Sequence, residues 1–380
     1  MKVVFAFDSF KGSACARRAC ESAVAGWRAR RADRDVLVTR PLADGGEGTA
    51  ESMLACRDGE WVECPAWGPL GESRVRAGYA WFPNESEALV EMASASGLCL
   101  LLPRQYDPLC ASTYGTGELI RAAWKKNPQR ILLAVGGSAT VDGGTGAATA
   151  LGWRFLDALA HSLEPGGGSL QGLQRIVSPA RPELPPIEVL CDVDNPLLGP
   201  QGAAAVFGPQ KGAGPEEVAV LEQGLTRLAG LAKEQLGAEM DIPGGGAAGG
   251  LAAGAAAFLG ARLVPGISRI VAVSDLDSEL RDADWVVTGE GSLDQQSLRG
   301  KVVSGVLQAA EQNGVRVAVI AGKVGLDESD WRKAGISHAL SLCDAETSPE
   351  EAVSRAPDLI ARRSGELADI VAGATQWQGS

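Results

Sequence analysis

The run Ile131-Leu132-Leu133-Ala134-Val135 breaks straight into Gly136-Gly137-Ser138-Ala139-Thr140-Val141-Asp142-Gly143-Gly144-Thr145-Gly146, and then into an Ala-rich stretch. A hydrophobic strand ending in glycines, hydroxyls and one carboxylate ahead of a helix has the local layout of a phosphate-binding loop. Glycine lets backbone N–H groups approach an anion closely, and the helix N-terminus adds partial positive charge. The stretch lacks the G-x-x-x-x-G-K-[ST] pattern and has no lysine of its own, so alone it also fits a tight strand–helix turn. It is not alone. Similar islands join glycines to carboxylates or lysine at Asp8–Gly12, Ala43–Thr49, Cys191–Pro196, Gly208–Gly212, Pro243–Gly250 and Thr288–Asp294. Most follow β-like runs, which places them at strand ends, where α/β folds collect ligand-binding loops.

Around these islands the chain alternates between strand-like and helix-like stretches. Val3–Phe7 reads as a strand leading to a helix from about Ser13, with Ser13 as its cap, to Arg31. Further strands are expected at Val36–Arg40, Trp61–Trp67, Arg74–Phe82, Leu89–Ala93, Ile187–Val193, Trp285–Thr288, Val317–Ala321 and His338–Leu342. The apolar spacing Val218, Leu221, Leu225, Leu228, Leu231 predicts a helix over about 216–236 with one packed face. Strands alternating with helices argue for α/β architecture with largely parallel sheets. At 380 residues and 45% hydrophobic content, the chain is long enough for about two domains. The strand runs at the two ends look alike, and the middle is richer in glycine and alanine. The expected division is therefore a discontinuous α/β domain, 1–84 plus 284–380, with a second α/β domain, 85–283, inserted into it. Two connections of that kind form a natural hinge around an interdomain cleft.

The net charge of −12 argues against nucleic acid or an anionic membrane surface as a partner. It also means that a site for anions has to be locally positive, and Lys11, Lys211, Lys301 and Lys323 each touch a glycine-rich island. The eight cysteines show neither CxxC pairing nor framework spacing and read as reduced residues of a cytoplasmic protein. No apolar stretch approaches ~18 residues, and the first strand is too short for a signal peptide. With only His161 and His338 available, acid–base and metal chemistry falls to carboxylates, whose oxygen ligands favour Mg²⁺ over zinc.

Taken in order, the islands resemble the glycerate kinase family, type I, over essentially the whole chain. The resemblance rests on Phe7-Asp8-Ser9-Phe10-Lys11-Gly12, Pro41 to Thr49, Tyr114-Gly115-Thr116-Gly117-Glu118-Leu119-Ile120 and Gly136 to Gly144. It continues through Cys191 to Leu197, Phe207 to Ala213, Gly244 to Gly250, and Thr288 to Asp294 with Gly300-Lys301. One departure is visible: Val141 stands where the family commonly has Asn. The resemblance implies phosphoryl transfer from ATP to D-glycerate with Mg²⁺, with 2-phosphoglycerate favoured over 3-phosphoglycerate as product. It also implies a restriction-enzyme-like terminal domain, a flavodoxin-like inserted domain and an active site between them, and it leaves room for a homodimer.

Phosphoryl transfer needs charge neutralisation, in-line positioning and a carboxylate near the attacking hydroxyl. Gly136, Gly137, Ser138, Thr140, Gly143 and Lys211 are the candidate nucleotide-binding residues. Asp192 and Asp194 are candidates for Mg²⁺ ligand or general base, unless Asp192 simply caps the turn before Asn195-Pro196. Lys11 and Asp294 complete the candidate catalytic set. Ser9, Asp44, Glu47 and Lys301 are the candidate substrate-binding residues, with helix capping the alternative for Asp44 and an Asp294–Lys301 ion pair the alternative for that pair. Two other functions use the same loops: a Mg²⁺-dependent phosphohydrolase, and a non-catalytic carboxylate- or phosphate-binding protein. The first would usually display a dedicated nucleophile or a dense metal cluster, and neither spacing is apparent.

Overall fold

The computed structural model describes residues 1–10, 12–46, 48–180, 184–298, 300–344 and 347–376. The chain divides into two compact units: Met1–Asp44, Glu51–Arg57 and Ile267–Ser380 form the first, and Gly45–Ala50 and Asp58–Gly266 the second.

The first unit opens with β1 (Lys2–Phe7), α1 (Ala16–Arg31) and β2 (Val36–Thr39). Ser13 does not cap α1: Cys15 is the N-cap, and the Ser13 hydroxyl donates instead to the Val353 carbonyl at 2.6 Å. The chain then builds the second unit's sheet from β3 (Glu60–Glu63), β4 (Gly78–Phe82), β5 (Glu87–Glu91), β6 (Arg130–Ala134), β7 (Ile187–Leu190) and β8 (Arg262–Val264). Its main helices are α2 (Tyr114–Trp124), α3 (Thr145–Ala150), α4 (Pro215–Leu236) and α5 (Leu251–Leu259). Back in the first unit follow β9 (Trp285–Gly289), α6 (Val302–Asn313), β10 (Arg316–Ala321), β11 (Ile336–Ser341) and α7 (Ala356–Gln376).

The first unit's five-stranded sheet runs β11-β10-β9-β1-β2, with every pairing parallel. Counted within the unit this is the order 2-1-3-4-5, the flavodoxin-like doubly wound arrangement. The strand order expected of the inserted domain therefore belongs to the terminal one. Phe5, Phe7 and Trp27 anchor the core of this unit, with the Phe5 and Trp27 rings edge to face at 5.8 Å. α1 and α7 pack so closely that a Cβ on Gly26 would lie 1.8 Å from the Ala361 carbonyl oxygen.

The six-stranded sheet of the second unit runs β8-β7-β6-β5-β4-β3. Its β3–β4–β5 portion is antiparallel and its β5–β6–β7–β8 portion parallel. Residues 58–84 thus pair into this unit, whereas the sequence pattern assigned them to the terminal domain. The reason is local: β3, β4 and β5 follow one another as hairpin-connected neighbours, and such strands stay in one sheet. The return to the first unit falls at Ile267 rather than near residue 284. Leu221, Leu225, Leu228 and Leu231 form the buried face of α4, as the periodicity predicts. Among the described residues, no helix is long and apolar enough to cross a membrane, and none of the eight cysteines is in a disulfide.

Candidate active site

In the first unit the sheet order reverses between β1 and β9, where Phe7 pairs with Gly289. The chain leaves these adjacent strand ends as Asp8-Ser9 on one side and Glu290-Gly291 on the other, and the Asp8 N–H donates to the Gly289 carbonyl at 2.9 Å. Such a reversal leaves a crevice outside the carboxyl ends of the strands, the usual ligand site of open α/β sheets. Here it is a cavity of about 370 Å³ whose polar wall includes Asp8, Ser9, Asp44, Glu290, Lys301 and Lys323. Asp44 arrives from the edge strand β2, and Lys323 from the end of β10, where its N–H donates to the Gly291 carbonyl at 3.1 Å.

Lys301 is the N-cap residue of α6, so its ammonium and the positive end of a twelve-residue helix lie together at the cavity wall. Its Nζ is 3.8 Å from Glu290 Oε2. Glu290 is 6% exposed, and its Oε1 is buried with no hydrogen-bond partner. Burial pushes the Glu290 carboxyl above the usual carboxylate range. The Ser297 hydroxyl and Lys301 pull the other way, while Asp294 and Asp44 oppose ionisation further.

Ser9, Asp44 and Lys301 are therefore brought together. Asp294 does not line this cavity. Its Oδ1 accepts the Gln296 and Ser297 N–H groups at 2.8 and 3.1 Å, closing a turn, and it lines a separate depression with Asp327 and Asp330. Glu290, not Asp294, is the carboxylate beside Lys301. Lys11 and Glu47 lie outside the described residues. Glu290 itself was not singled out from the sequence, although a carboxylate held between two glycines directly after a β-like run was the available signal.

In the second unit, β5, β6 and β7 end side by side, with Glu91 opposite Ala134 and Ala134 opposite Leu190. The loop after β6 carries the partly exposed Gly136 and the exposed Gly137, whose φ of +75° favours glycine. The Gly137 carbonyl is held by the Leu98 N–H at 2.9 Å. Below the loop lies Lys211, 1% exposed, donating from Nζ to Ser138 Oγ at 2.6 Å and to the Thr140 carbonyl at 2.7 Å. Burial lowers its pKa to about 7, against the pull of Asp142. Thr140 Oγ1 is buried with no hydrogen-bond partner.

Asp142 organises the turn that follows. Its Oδ2 accepts the Thr113 N–H and Thr113 Oγ1, both at 2.8 Å, and the Gly146 N–H at 3.2 Å. Its Oδ1 accepts the Gly144 N–H at 3.0 Å. Burial raises the Asp142 carboxyl even against these donors. Gly143, expected among the phosphate donors, instead gives its N–H to the Gly249 carbonyl at 3.0 Å, and Leu225 and Leu228 close over its α-carbon. Val141, at the position where the resemblance expects Asn, is fully buried in the apolar core.

Strand β7 ends at Leu190, so Asp192 and Asp194 sit on the following loop and not on one strand face. Asp192 is half-buried and Asp194 exposed. The loop is anchored by the Asn195 amide donating to the Gln201 carbonyl at 2.8 Å and by the Gly246 N–H donating to the Asn195 carbonyl at 2.9 Å. Among the described residues, no group of three His, Cys, Asp or Glu side chains could by itself hold a metal ion.

Comparison with known proteins agrees across the full length. The profile of the Glycerate kinase family matches residues 3–372. A protein named glycerate kinase from Halalkalibacterium halodurans is 41% identical over 372 residues, covering 97% of each chain. One named glycerate 2-kinase from Escherichia coli K12 is 40% identical over 378 residues, covering 98% of each. A crystal structure from Salmonella typhimurium LT2, provisionally assigned as a glycerate kinase 2, superposes with a TM-score of 0.85 at 40% identity, covering 99% of each chain. With this fold, these strand-end loops and relatives of that name along its whole length, the chain belongs to the glycerate kinase family.

Proposed function

We propose that the protein transfers the γ-phosphoryl group of ATP to D-glycerate, with 2-phosphoglycerate as product and Mg²⁺ as the working ion. The observation that carries this reading is the switch-point cavity, where ammonium groups, a helix N-terminus and carboxylates meet within one small enclosure. A hydroxy acid asks for that mixture. Lys301, with the N-terminus of α6 behind it, suits the glycerate carboxylate, and Asp8, Ser9 and Asp44 offer partners for its hydroxyls.

The nucleotide phosphates are assigned to the Gly136-Gly137-Ser138 loop, whose two glycines reach the surface. Lys211 supports that loop from beneath through Ser138 and Thr140. Asp192 and Asp194 are the residues that would hold Mg²⁺. Two hard carboxylates on a solvent-reaching loop fit an ion that takes most of its ligands from phosphate and water. When bound, the ion neutralises charge on the phosphates. The free cysteines suit a reducing cytoplasm.

Purified protein with MgATP should release ADP only when D-glycerate is added, and EDTA should stop it. Phosphorus NMR of the product distinguishes 2- from 3-phosphoglycerate. ADP release that ignores glycerate would replace this reading with the phosphohydrolase.

A further inference from the structure

We propose that Glu290 is the catalytic base of the transfer, its carboxylate accepting the proton of the glycerate hydroxyl that attacks the γ-phosphorus of ATP. This rests on the glycerate kinase reading and adds to it a residue and a role. In the step, the substrate O–H bond breaks and its proton passes to Glu290. The freed oxygen lone pair forms the new O–P bond. The bond between Pγ and the β,γ-bridging oxygen breaks, and its electron pair leaves with ADP.

Three observations support the assignment. Glu290 leaves the end of β9 at the strand-order reversal, in the wall of the cavity given to glycerate. It is 6% exposed, with Oε2 3.8 Å from the Lys301 ammonium, the Ser297 hydroxyl beside the carboxylate, and Oε1 enclosed without a hydrogen-bond partner. The carboxylate thus stands in the cavity wall with fewer donors than its two oxygens can accept, and a ligand hydroxyl arriving beside Lys301 would add one. Neighbouring carboxylates are differently engaged: Asp8 Oδ1 accepts the Ser9 N–H at 2.6 Å, and Asp294 Oδ1 closes its own turn. Burial also raises the proton affinity of Glu290, which brings a carboxylate closer to the range where a base works efficiently. Lys301 then has a double task, facing the substrate carboxylate while limiting the cost of a second buried anion.

The test compares wild type with Glu290→Gln and Glu290→Asp, reading kcat, the D-glycerate Kd by calorimetry, the melting temperature and the acid limb of kcat. The charged groups around this carboxylate are Lys301 on α6, Asp44 after β2, Asp8 after β1, Lys323 after β10 and Asp294 on its own segment. Glu290→Gln should lower kcat by roughly 10²–10⁴-fold. Its glycerate Kd should stay within about threefold and its melting point should hold, because the amide keeps the size and contributes a hydrogen bond of its own. Its residual activity should lose the acid limb seen in wild type. Glu290→Asp, which keeps the base but withdraws it, should fall between the two. A Glu290→Gln enzyme within about threefold of wild-type kcat overturns the proposal, as does an activity loss matched by lost glycerate binding or lost stability. Wild-type protein that makes no ADP with glycerate would remove the kinase reading itself, and this proposal with it.

Discussion

Asp192 separates chemistry from turn-making, because Asn has nearly the same size as Asp and caps turns about as well. If its charge holds the metal ion or takes a proton, Asp192→Asn should lower kcat by ~10²-fold or more while the melting temperature hardly moves. A folded variant with activity within a fewfold of wild type would remove Asp192 from the site. Lys211 calls for a different experiment, since it is buried and its two hydrogen bonds go to the loop itself. Its folded pKa of about 7 lies below the ordinary 10.5, so between these values the unfolded chain binds more protons than the folded one. Stability from this group therefore rises with pH across that window and carries its full penalty below it. Wild type should gain stability relative to Lys211→Met as pH rises from about 7 towards about 10, and equal pH slopes would refute the assignment. Spacing puts Ser9 and Asp44 just past strand ends, since each follows a β-like run, and the fold sets both with Lys301 around one cavity. Spacing could not place Glu290 rather than Asp294 beside Lys301, because that depends on which carboxylate is buried there and which spends its oxygen on a turn.

At the scale of elements, long periodic segments were legible and their ends were not. α4 and the strands β1, β6 and β9 follow from hydrophobic pattern alone, within a residue or two of where they fall. Strand β7 is shorter than its apolar run suggests, which moves Asp192 from strand to loop. The pairing of β3 and β4 into the second unit follows from their succession to β5 along the chain, which a boundary drawn at residue 84 cuts across. The least legible element is the packed turn around Gly143, which reads as open phosphate loop in sequence but is closed from behind by Gly249 and its neighbours. There Gly249 has φ +63°, and a Cβ would lie 1.9 Å from the Thr140 carbonyl oxygen and 2.6 Å from Val141 Cα. Both obstacles are backbone and cannot swing aside. Gly249→Ala should therefore cost about 3 kcal/mol or more, through strain and overpacking together. Gly314→Ala is its control: it shares a positive φ of +68° but meets nothing within 4 Å, so only the backbone penalty of about 1–2 kcal/mol remains. Equal losses in urea denaturation would mean that the Gly143 turn is not packed as described.

For the molecule as a whole, the tension is between a net charge of −12 and substrates that are themselves anions. Each unit meets it locally, by lysines near the strand ends, yet the described wall of the switch-point cavity holds Asp8, Asp44 and Glu290 against Lys301 and Lys323. At long range an approaching glycerate therefore meets repulsion, and only within a few ångströms does it meet the ammonium groups and the helix terminus. Salt acts unequally on these two distances. The Debye length falls from about 30 Å at 0.01 M to about 8 Å at 0.15 M, which removes the far field while leaving a partly buried contact such as that at Lys301 largely intact. kcat/KM for D-glycerate at saturating MgATP should consequently rise with NaCl over that range, by on the order of twofold, while kcat stays level. A kcat/KM that falls with salt would mean that local lysines govern capture from a distance. In that case Lys301→Met and Lys323→Met should each flatten the salt dependence, whereas under far-field repulsion they would lower kcat/KM and leave its slope with salt positive.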